Sequence, residues 1–266
     1  MNRIEARFSE LKEQGKKGLV VYIGAGDPNL KATQELAIGF ADSGVDILEL
    51  GVPFSDPLAD GIVNQLAAQR GLESGTTPGG VMQAVSQIRE SSEIPILLYV
   101  YYNLIHQRGL DLFVADAAAA GVDGLLILDL PPEEGDAYHE AMMEAGLLPI
   151  YLIAPTTPEA RIKFIASRAV GFIYYVSREG VTGMQSSVSE TIEPMITLIR
   201  KYTDLPIAIG FGVSNPGQAK TVASFGEACV VGSAVVNRIA VLGDSPSLVS
   251  GVCGFVKTLS TALRAS

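Results

Sequence analysis

Two carboxylates stand close together in the stretch VDILELGVPFSDPLADG, at positions 45–61. Glu49 lies inside an apolar, strand-like run, where an unpartnered carboxylate costs free energy. Alternation along a strand puts it on the same side as Ile47, near the strand's C-terminal end. Partial desolvation there would raise the Glu49 pKa, which suits a group that gives and takes protons near neutral pH. A structural ion pair is the alternative interpretation.

The second acid of this stretch, Asp60, lies between Ala59 and Gly61, before a helical pattern. Aspartate is a favoured N-cap, so a capping role is the simplest interpretation of Asp60. Tyr174 lies near the end of a later apolar run and could hydrogen-bond a carboxylate, although most strand tyrosines only pack.

Eight short apolar runs alternate with helical patterns and predict the elements that position these side chains. The runs are continuous in their apolar character, which is typical of parallel strands covered on both faces; they lie at 18–23, 46–51, 94–100, 123–128, 149–153, 171–176, 206–210 and 228–232. Residues 30–44, 110–121, 158–168 and 216–226 show the 3.6-residue period of helices.

This alternation predicts an α/β fold, a (β/α)8 TIM barrel formed by one domain over residues 1–266. An open doubly wound sheet is the main competitor. The count of eight strands and the lack of a GxGxxG motif after the first strand disfavour it. The amphipathic N-terminus predicts one extra helix before the barrel. Active sites of such barrels lie at the C-terminal ends of the strands.

Glycine-rich segments follow the seventh and eighth predicted strands, GFGVSNPGQ at 210–218 and GSAVVNR at 232–238. Gly232 and Ser233 open a short helical stretch, whose N-terminus can bind an anion through free N–H groups. Loops seven and eight plus a short helix form the usual phosphate site of barrel enzymes. Tight turns without a ligand are the alternative.

The segment SREGVTGMQSSVS, residues 177–189, is long for a connection after a strand and lacks an apolar face. Long glycine-containing loops at the active face of a barrel are often lids. Thr182 and Gly183 are the positions best suited to reach a ligand. A disordered surface loop is the other interpretation.

The composition excludes several classes of protein. A net charge of −10 disfavours binding to nucleic acid or to an anionic membrane surface. The apolar runs are shorter than the roughly 20 residues that span a bilayer, and the N-terminus is neither a signal nor a transit peptide. Two cysteines and two histidines show no metal-ligand spacing, so no metal site is predicted. The expected location is a reducing cytoplasm.

Several motifs together resemble the alpha subunit of tryptophan synthase. They occur in the family's order and spacing, and the first is highly specific: ELGVPFSDPLADG at 49–61, GDP at 26–28, SREGVTG at 177–183, GFGVS at 210–214 and GSAVV at 232–236. The resemblance implies reversible retro-aldol cleavage of indole-3-glycerol phosphate to indole and glyceraldehyde 3-phosphate.

The resemblance also implies roles for single residues. Glu49 would be the general acid and base, Asp60 would accept a hydrogen bond from the indole N–H, and Tyr174 would be the active-site tyrosine. The implied substrate and phosphate contacts are Phe211, Thr182, Gly183, Gly212, Gly232 and Ser233.

A beta subunit that carries pyridoxal phosphate is the partner that the resemblance implies, in an alpha2-beta2 complex, with no cofactor in this chain. The contact residues would be Pro53, Phe54, Asp56 and Pro57, although Asp56 could simply stabilise a turn. A free-standing lyase that releases indole, a mainly regulatory subunit and another sugar-phosphate barrel enzyme are the alternatives.

Four positions depart from the family pattern. Ile62 replaces a usual proline, Gly24 replaces a common threonine, and Tyr99 and Tyr101 make the third strand bulkier at its mouth.

Overall fold

The computed structural model describes residues 1–177 and 185–265, and only the backbone of residues 185–191. Eight parallel strands close into a barrel in sequence order. They are β1 Gly18–Gly24, β2 Ile47–Gly51, β3 Ile96–Val100, β4 Gly124–Ile127, β5 Leu148–Ile153, β6 Ile173–Val176, β7 Ile207–Gly210 and β8 Ala228–Val231. The predicted (β/α)8 TIM barrel is therefore confirmed, and the open doubly wound sheet is excluded.

Twelve α-helices are found in the described residues, and most of them surround the barrel. They are α1 Arg3–Glu13, α2 Leu30–Asp42, α3 Ile62–Glu73, α4 Pro78–Arg89, α5 Tyr102–Arg108, α6 Leu110–Ala120, α7 Asp136–Glu144, α8 Glu159–Arg168, α9 Gln185–Arg200, α10 Pro216–Ala223, α11 Ser233–Leu242 and α12 Leu248–Arg264. A 3₁₀ turn covers Pro132–Glu134.

Two large apolar cores result from the alternation of side chains along the strands, beside a small third cluster of Tyr22, Ala67 and Val236. One lies between the barrel and the helices and contains most of the buried aliphatic residues. The other fills the barrel interior, with Val20, Ile47, Leu97 and Leu126 among its members. The barrel is thus a packed core, and a ligand can enter only at its ends.

The predicted N-terminal helix closes one of those ends. Ile4, Phe8 and Leu11 of α1 are buried in the same cluster as the barrel interior. The ring of Phe8 lies 5.4 Å from that of Phe172, between ring centroids. The N-terminal end of the barrel is therefore sealed, which leaves the C-terminal mouth for a site.

One predicted segment differs from the structure. The loop expected over 177–189 is shorter, because α9 begins at Gln185. Buried Ile192, Ile196 and Ile199 recur at helical spacing further along α9 and explain the helix. Residues 178–184, with Thr182 and Gly183, lie outside the described residues.

Candidate active site

Tyrosine rings and a glycine lie side by side at the barrel mouth. Tyr22 of β1 is paired in register with Glu49 of β2, and Gly51 is paired with Tyr99 of β3. A Cβ atom on Gly51 would lie 2.4 Å from the Tyr22 hydroxyl oxygen. Glycine at this position is therefore what allows the Tyr22 ring to lie across β2 at the mouth.

Glu49 is fully buried, at 1% exposure, and faces the barrel interior as strand alternation predicts. The Tyr174 hydroxyl donates to Glu49 Oε2 at 3.1 Å. Within the described residues Oε1 has no hydrogen-bond partner, and no ion pair reaches the carboxyl group. The alternative of a structural ion pair therefore finds no support in this part of the chain.

Burial raises the pKa of Glu49 to about 8. The hydrogen bond from Tyr174 opposes this shift, and the negative charge of Asp60 adds to it. Near neutral pH Glu49 thus holds a proton that it can give up. A carboxylic acid with this pKa is suited to general acid–base catalysis.

Asp60 is also buried, at 9% exposure, and its carboxylate is held by two phenols. The hydroxyl of Tyr99 donates to Oδ1 at 2.6 Å, and the hydroxyl of Tyr101 donates to Oδ2 at 2.9 Å. The capping interpretation is wrong: the N-cap of α3 is Gly61, and no side chain caps this helix. The sequence predicts Tyr99 and Tyr101 as bulky residues at the mouth of the third strand, but it does not predict that they donate to Asp60.

The two acids therefore have different environments in one mouth. Glu49 is an apolar-buried acid with a raised pKa, whereas Asp60 is a hydrogen-bonded acceptor on a loop. Pairs of carboxyl groups in unlike environments can divide acid and base work between them. Protonation of a substrate by Glu49 and acceptance of an N–H hydrogen bond by Asp60 are compatible with this arrangement.

The loops after β7 and β8 present backbone groups on the same side of the barrel. Gly212 is exposed and has a positive φ of 61°, a conformation that favours glycine. Gly232 is the N-cap of α11, and exposed Ser233 is its first residue. At ten residues this helix is longer than the short helix predicted. Phe211 is half-buried and packs against the outer apolar core.

The sequence model of one family matches most of the chain: "Tryptophan synthase alpha chain", over residues 8–258. The chain belongs to the tryptophan synthase alpha chain family. The predicted family is thus confirmed.

Similar proteins from several bacteria carry the same description. A tryptophan synthase alpha chain of Opitutus terrae is 52% identical over 239 residues, which cover 90% of each chain. One from Geotalea uraniireducens is 45% identical over 266 residues, covering 100% of this chain and 99% of the relative. The crystal structure of tryptophan synthase subunit alpha from Legionella pneumophila has a TM-score of 0.92 at 36% identity, with 100% of both chains covered.

The structure describes the surroundings of Gly24, Ile62 and Tyr99, three of the positions predicted to depart from the family pattern. A Cβ atom on Gly24 would lie 3.2 Å from Cβ of Ala67, so helix α3 fills the space that a larger residue would need. Ile62 is the first residue of α3 and is 67% exposed. Tyr99 packs edge-on against Tyr22, with ring centroids 5.1 Å apart.

The loop that the family resemblance assigns to a partner has one buried and one exposed part. Pro53 is buried beside Gly71 of α3, so it shapes the loop from inside. Phe54 and Pro57 are half-buried, Asp56 is exposed, and the Phe54 ring lies 5.2 Å from that of Tyr101.

Sequence reasoning did not predict that Leu58 and Ile62, two apolar residues beside this loop, are exposed. Leu58 is 82% exposed, and Ile62 follows it nearby with its side chain in solvent. A signal for this exposure was available in the sequence: these large apolar residues lie among prolines and acids and do not continue a helical period. Exposed apolar groups that lie close together are typical of interaction surfaces.

The described residues contain neither a membrane-spanning helix nor a metal-binding cluster. No helix among them is both long and apolar enough to cross a membrane. No group of three or more His, Cys, Asp or Glu side chains among them could hold a metal ion.

Proposed function

We propose that this chain is a carbon–carbon lyase that cleaves indole-3-glycerol phosphate to indole and glyceraldehyde 3-phosphate, as the alpha chain of tryptophan synthase. The observation that carries the proposal is the pair of buried acids at the barrel mouth. Glu49 has a raised pKa and an Oε1 atom without a partner among the described residues, and Asp60 is oriented by two hydroxyl groups. The reaction needs an acid at indole C3 and an acceptor at N1.

Glu49 acts first as the acid. It gives its proton to C3 of the indole ring, which leaves the ring as an indolenine with positive charge at N1. Asp60 accepts a hydrogen bond from the N–H and stabilises this charge. A positioned acid of matched pKa typically contributes about 10²–10⁴ in rate.

The ionised Glu49 then acts as the base. It removes the proton from the side-chain hydroxyl group while the bond between C3 and the adjacent side-chain carbon breaks. The bonding electrons return to the ring and restore indole, and the hydroxyl oxygen becomes the aldehyde oxygen. Glu49 has regained its proton, and Tyr174, which donates to Oε2, holds the carboxyl group in both states.

Backbone groups bind the phosphate in this proposal. The donors come from Gly212, Gly232 and Ser233, and the N-terminal dipole of α11 attracts the anion. The family resemblance adds Gly183 as a donor and Thr182 as a substrate contact, both outside the described residues, and Phe211 lies against the substrate. Such a site suits an acidic chain, because it binds a phosphate without a broad positive field.

A beta subunit completes the proposal for partners. The chain, as one domain over residues 1–266, joins an alpha2-beta2 complex in the cytoplasm. The beta subunit carries pyridoxal phosphate and consumes the indole, whereas this chain has no cofactor. Phe54, Asp56 and Pro57, with Pro53 beneath them, form the contact, to which exposed Leu58 adds apolar surface. The Phe54–Tyr101 ring contact links this surface to Asp60.

The test is indole release from indole-3-glycerol phosphate, measured for the chain alone and with a tryptophan synthase beta subunit. We expect release that the beta subunit accelerates, and a loss of about 10²–10⁴ in kcat for Glu49→Gln. Glu90→Gln, an exposed acid after α4, is the matched control and should behave as wild type.

Each alternative outcome has a distinct meaning. Full activity without any partner effect would contradict the subunit assignment and favour a free-standing lyase. Stimulation of the beta subunit without any indole formation would favour a regulatory subunit. Unchanged indole release by Glu49→Gln would contradict the catalytic assignment of Glu49.

A further inference from the structure

We propose that Tyr99 is a positioning residue, which fixes the Asp60 carboxylate as the acceptor for the indole N–H and so sets the preference for N–H heterocycles. This inference rests on the proposed function and adds a residue to its site.

The need for such a residue follows from where Asp60 lies. It is on the loop between β2 and α3, and its side chain does not cap the helix. No ion pair in the described part of the chain reaches its carboxylate. The direction of the carboxylate therefore depends on the Tyr99 and Tyr101 hydroxyl groups, one on each oxygen.

The two donors leave room for a ligand. An ionised carboxylate has about four acceptor positions, two on each oxygen. Tyr99 and Tyr101 use one position on each oxygen in the described contacts, so further acceptor capacity remains. A carboxylate held at both oxygens cannot rotate freely, and its remaining lone pairs keep a fixed direction for an incoming N–H group.

Tyr99 is the more rigid of the two donors, since it belongs to the barrel itself. It lies within β3, opposite Gly51, and its ring meets Tyr22 at an interplanar angle of 69°. Tyr101 comes after β3, as the N-cap residue of α5, and its ring contacts Phe54 of the loop. The hydrogen bond from Tyr99 thus connects the Asp60 carboxylate to the sheet, whereas the hydrogen bond from Tyr101 connects it to the loop. Groups carried by strands hold a geometry more accurately than groups carried by loops.

The Tyr99 hydroxyl acts as a donor at every working pH. Burial raises the pKa of Tyr99 well above its ordinary value, and the negative charge of Asp60 raises it further. Tyr99 therefore does not compete with Glu49 as a base. Its effect on the reaction passes through Asp60.

The first experiment compares wild type with Tyr99→Phe in steady-state indole-3-glycerol phosphate cleavage and in equilibrium binding of indole and benzofuran. Benzofuran has oxygen in place of the indole N–H. We expect kcat to fall about tenfold, because a hydrogen bond to a charged group is lost. KM should change less than kcat, because the phosphate contacts are intact. The preference for indole over benzofuran should fall by a similar factor.

Tyr151→Phe is the matched control. Tyr151 is a buried strand tyrosine whose hydroxyl group contacts His139 at 3.0 Å, on the side of the barrel that faces the helices. Tyr151→Phe removes the same phenolic hydroxyl group, at a place that does not contact the barrel mouth. Wild-type kinetics and wild-type discrimination are expected for this variant.

A double-mutant comparison tests whether Tyr99 acts through Asp60. In an Asp60→Asn background, Tyr99→Phe should leave the binding of indole and benzofuran unchanged. An equal loss in both backgrounds would overturn the inference, as would full indole discrimination by Tyr99→Phe. If wild type releases no indole, the proposed function fails. If it releases indole but binds indole and benzofuran equally, the function stands and the inference fails.

Discussion

Two acids at the N-terminal end of the barrel and two at its C-terminal mouth are buried in opposite ways, although Asp27, a third buried acid on the mouth side, is paired with Arg70. At the N-terminal end, Asp46 and Asp123 stand just before β2 and β4, at 1% and 2% exposure. Each accepts a backbone N–H from the preceding strand, Leu19 at 2.6 Å and Ile96 at 2.7 Å. Each also meets two arginines, one of them from helix α1.

At the C-terminal mouth, Glu49 and Asp60 receive hydroxyl donors instead of guanidinium groups. The difference affects the pKa of each carboxyl group. Burial raises the pKa of Asp123, but a backbone N–H and two arginines oppose that shift. At Glu49 only one phenol opposes it, and the pKa reaches about 8. Arginine partners at Asp46 and Asp123 stabilise the sealed end, whereas Glu49 has no cation beside it among the described residues and keeps a proton available.

Replacing an acid by its amide at each end of the barrel tests this contrast. The largest effect is expected at the mouth. Glu49→Gln should lower kcat for indole release by about 10²–10⁴ without lowering the free energy of unfolding. The amide has nearly the same shape and can still accept from Tyr174. Kinetics and denaturant unfolding on one preparation check both parts. A large loss of stability would show that Glu49 resembles the acids at the other end.

Asp123→Asn makes that change at the sealed end and should have the opposite result. It leaves Arg89, itself largely buried, beside an uncharged amide. Breaking a buried ion pair by removing one partner costs about 3–5 kcal/mol. We expect a loss of this order in the free energy of unfolding and unchanged kcat per folded molecule. An equal fall in kcat would contradict the division between the two ends.

The pH dependence of stability should also separate the two ends. A buried acid whose folded pKa lies above its unfolded value of 4.5 stabilises the fold fully below pH 4.5, and this contribution is lost as the pH rises to about 8. The free energy of unfolding of Glu49→Gln, relative to wild type, should therefore rise by roughly 1 kcal/mol per pH unit between pH 5 and 8. Denaturant unfolding at several pH values measures this. A constant difference would show that Glu49 is not buried as an acid.

The smallest effect concerns the backbone of the mouth. Ile62→Pro introduces proline at the first position of α3, where proline is favoured and where the family resemblance implies it. Gly61 before it has φ −74° and ψ 160°, which a following proline tolerates. We expect about 0.4–1 kcal/mol of added stability and unchanged kcat. Thermal unfolding and indole release check this, and destabilisation would show that the Ile62 N–H or side chain has a native contact.

Much of the architecture was predictable from local pattern. All eight apolar runs became strands, because continuous apolar character and the helical period between them are properties of neighbouring residues. The segments SGVDILEL at 43–50 and AGVDGLLI at 120–127 are alike in sequence, and the structure shows why: Asp46 and Asp123 occupy the same place before their strands. The reason for Gly226 is not local: it follows α10 without a positive φ, and a Cβ atom there would lie 2.6 Å from the Ile207 carbonyl oxygen.

The sequence by itself determined the barrel, the family and the position of Glu49, because strand alternation fixes which side chains face inward. Only the tertiary structure decided what each acid touches. Asp46 finds Arg264 across 218 residues, and Asp60 finds Tyr99 across 39. Such partners come from different strands and helices, and no local period encodes them. Closure of the barrel therefore made Asp60 a held acceptor instead of a helix cap, and left Glu49 without a cation among the described residues.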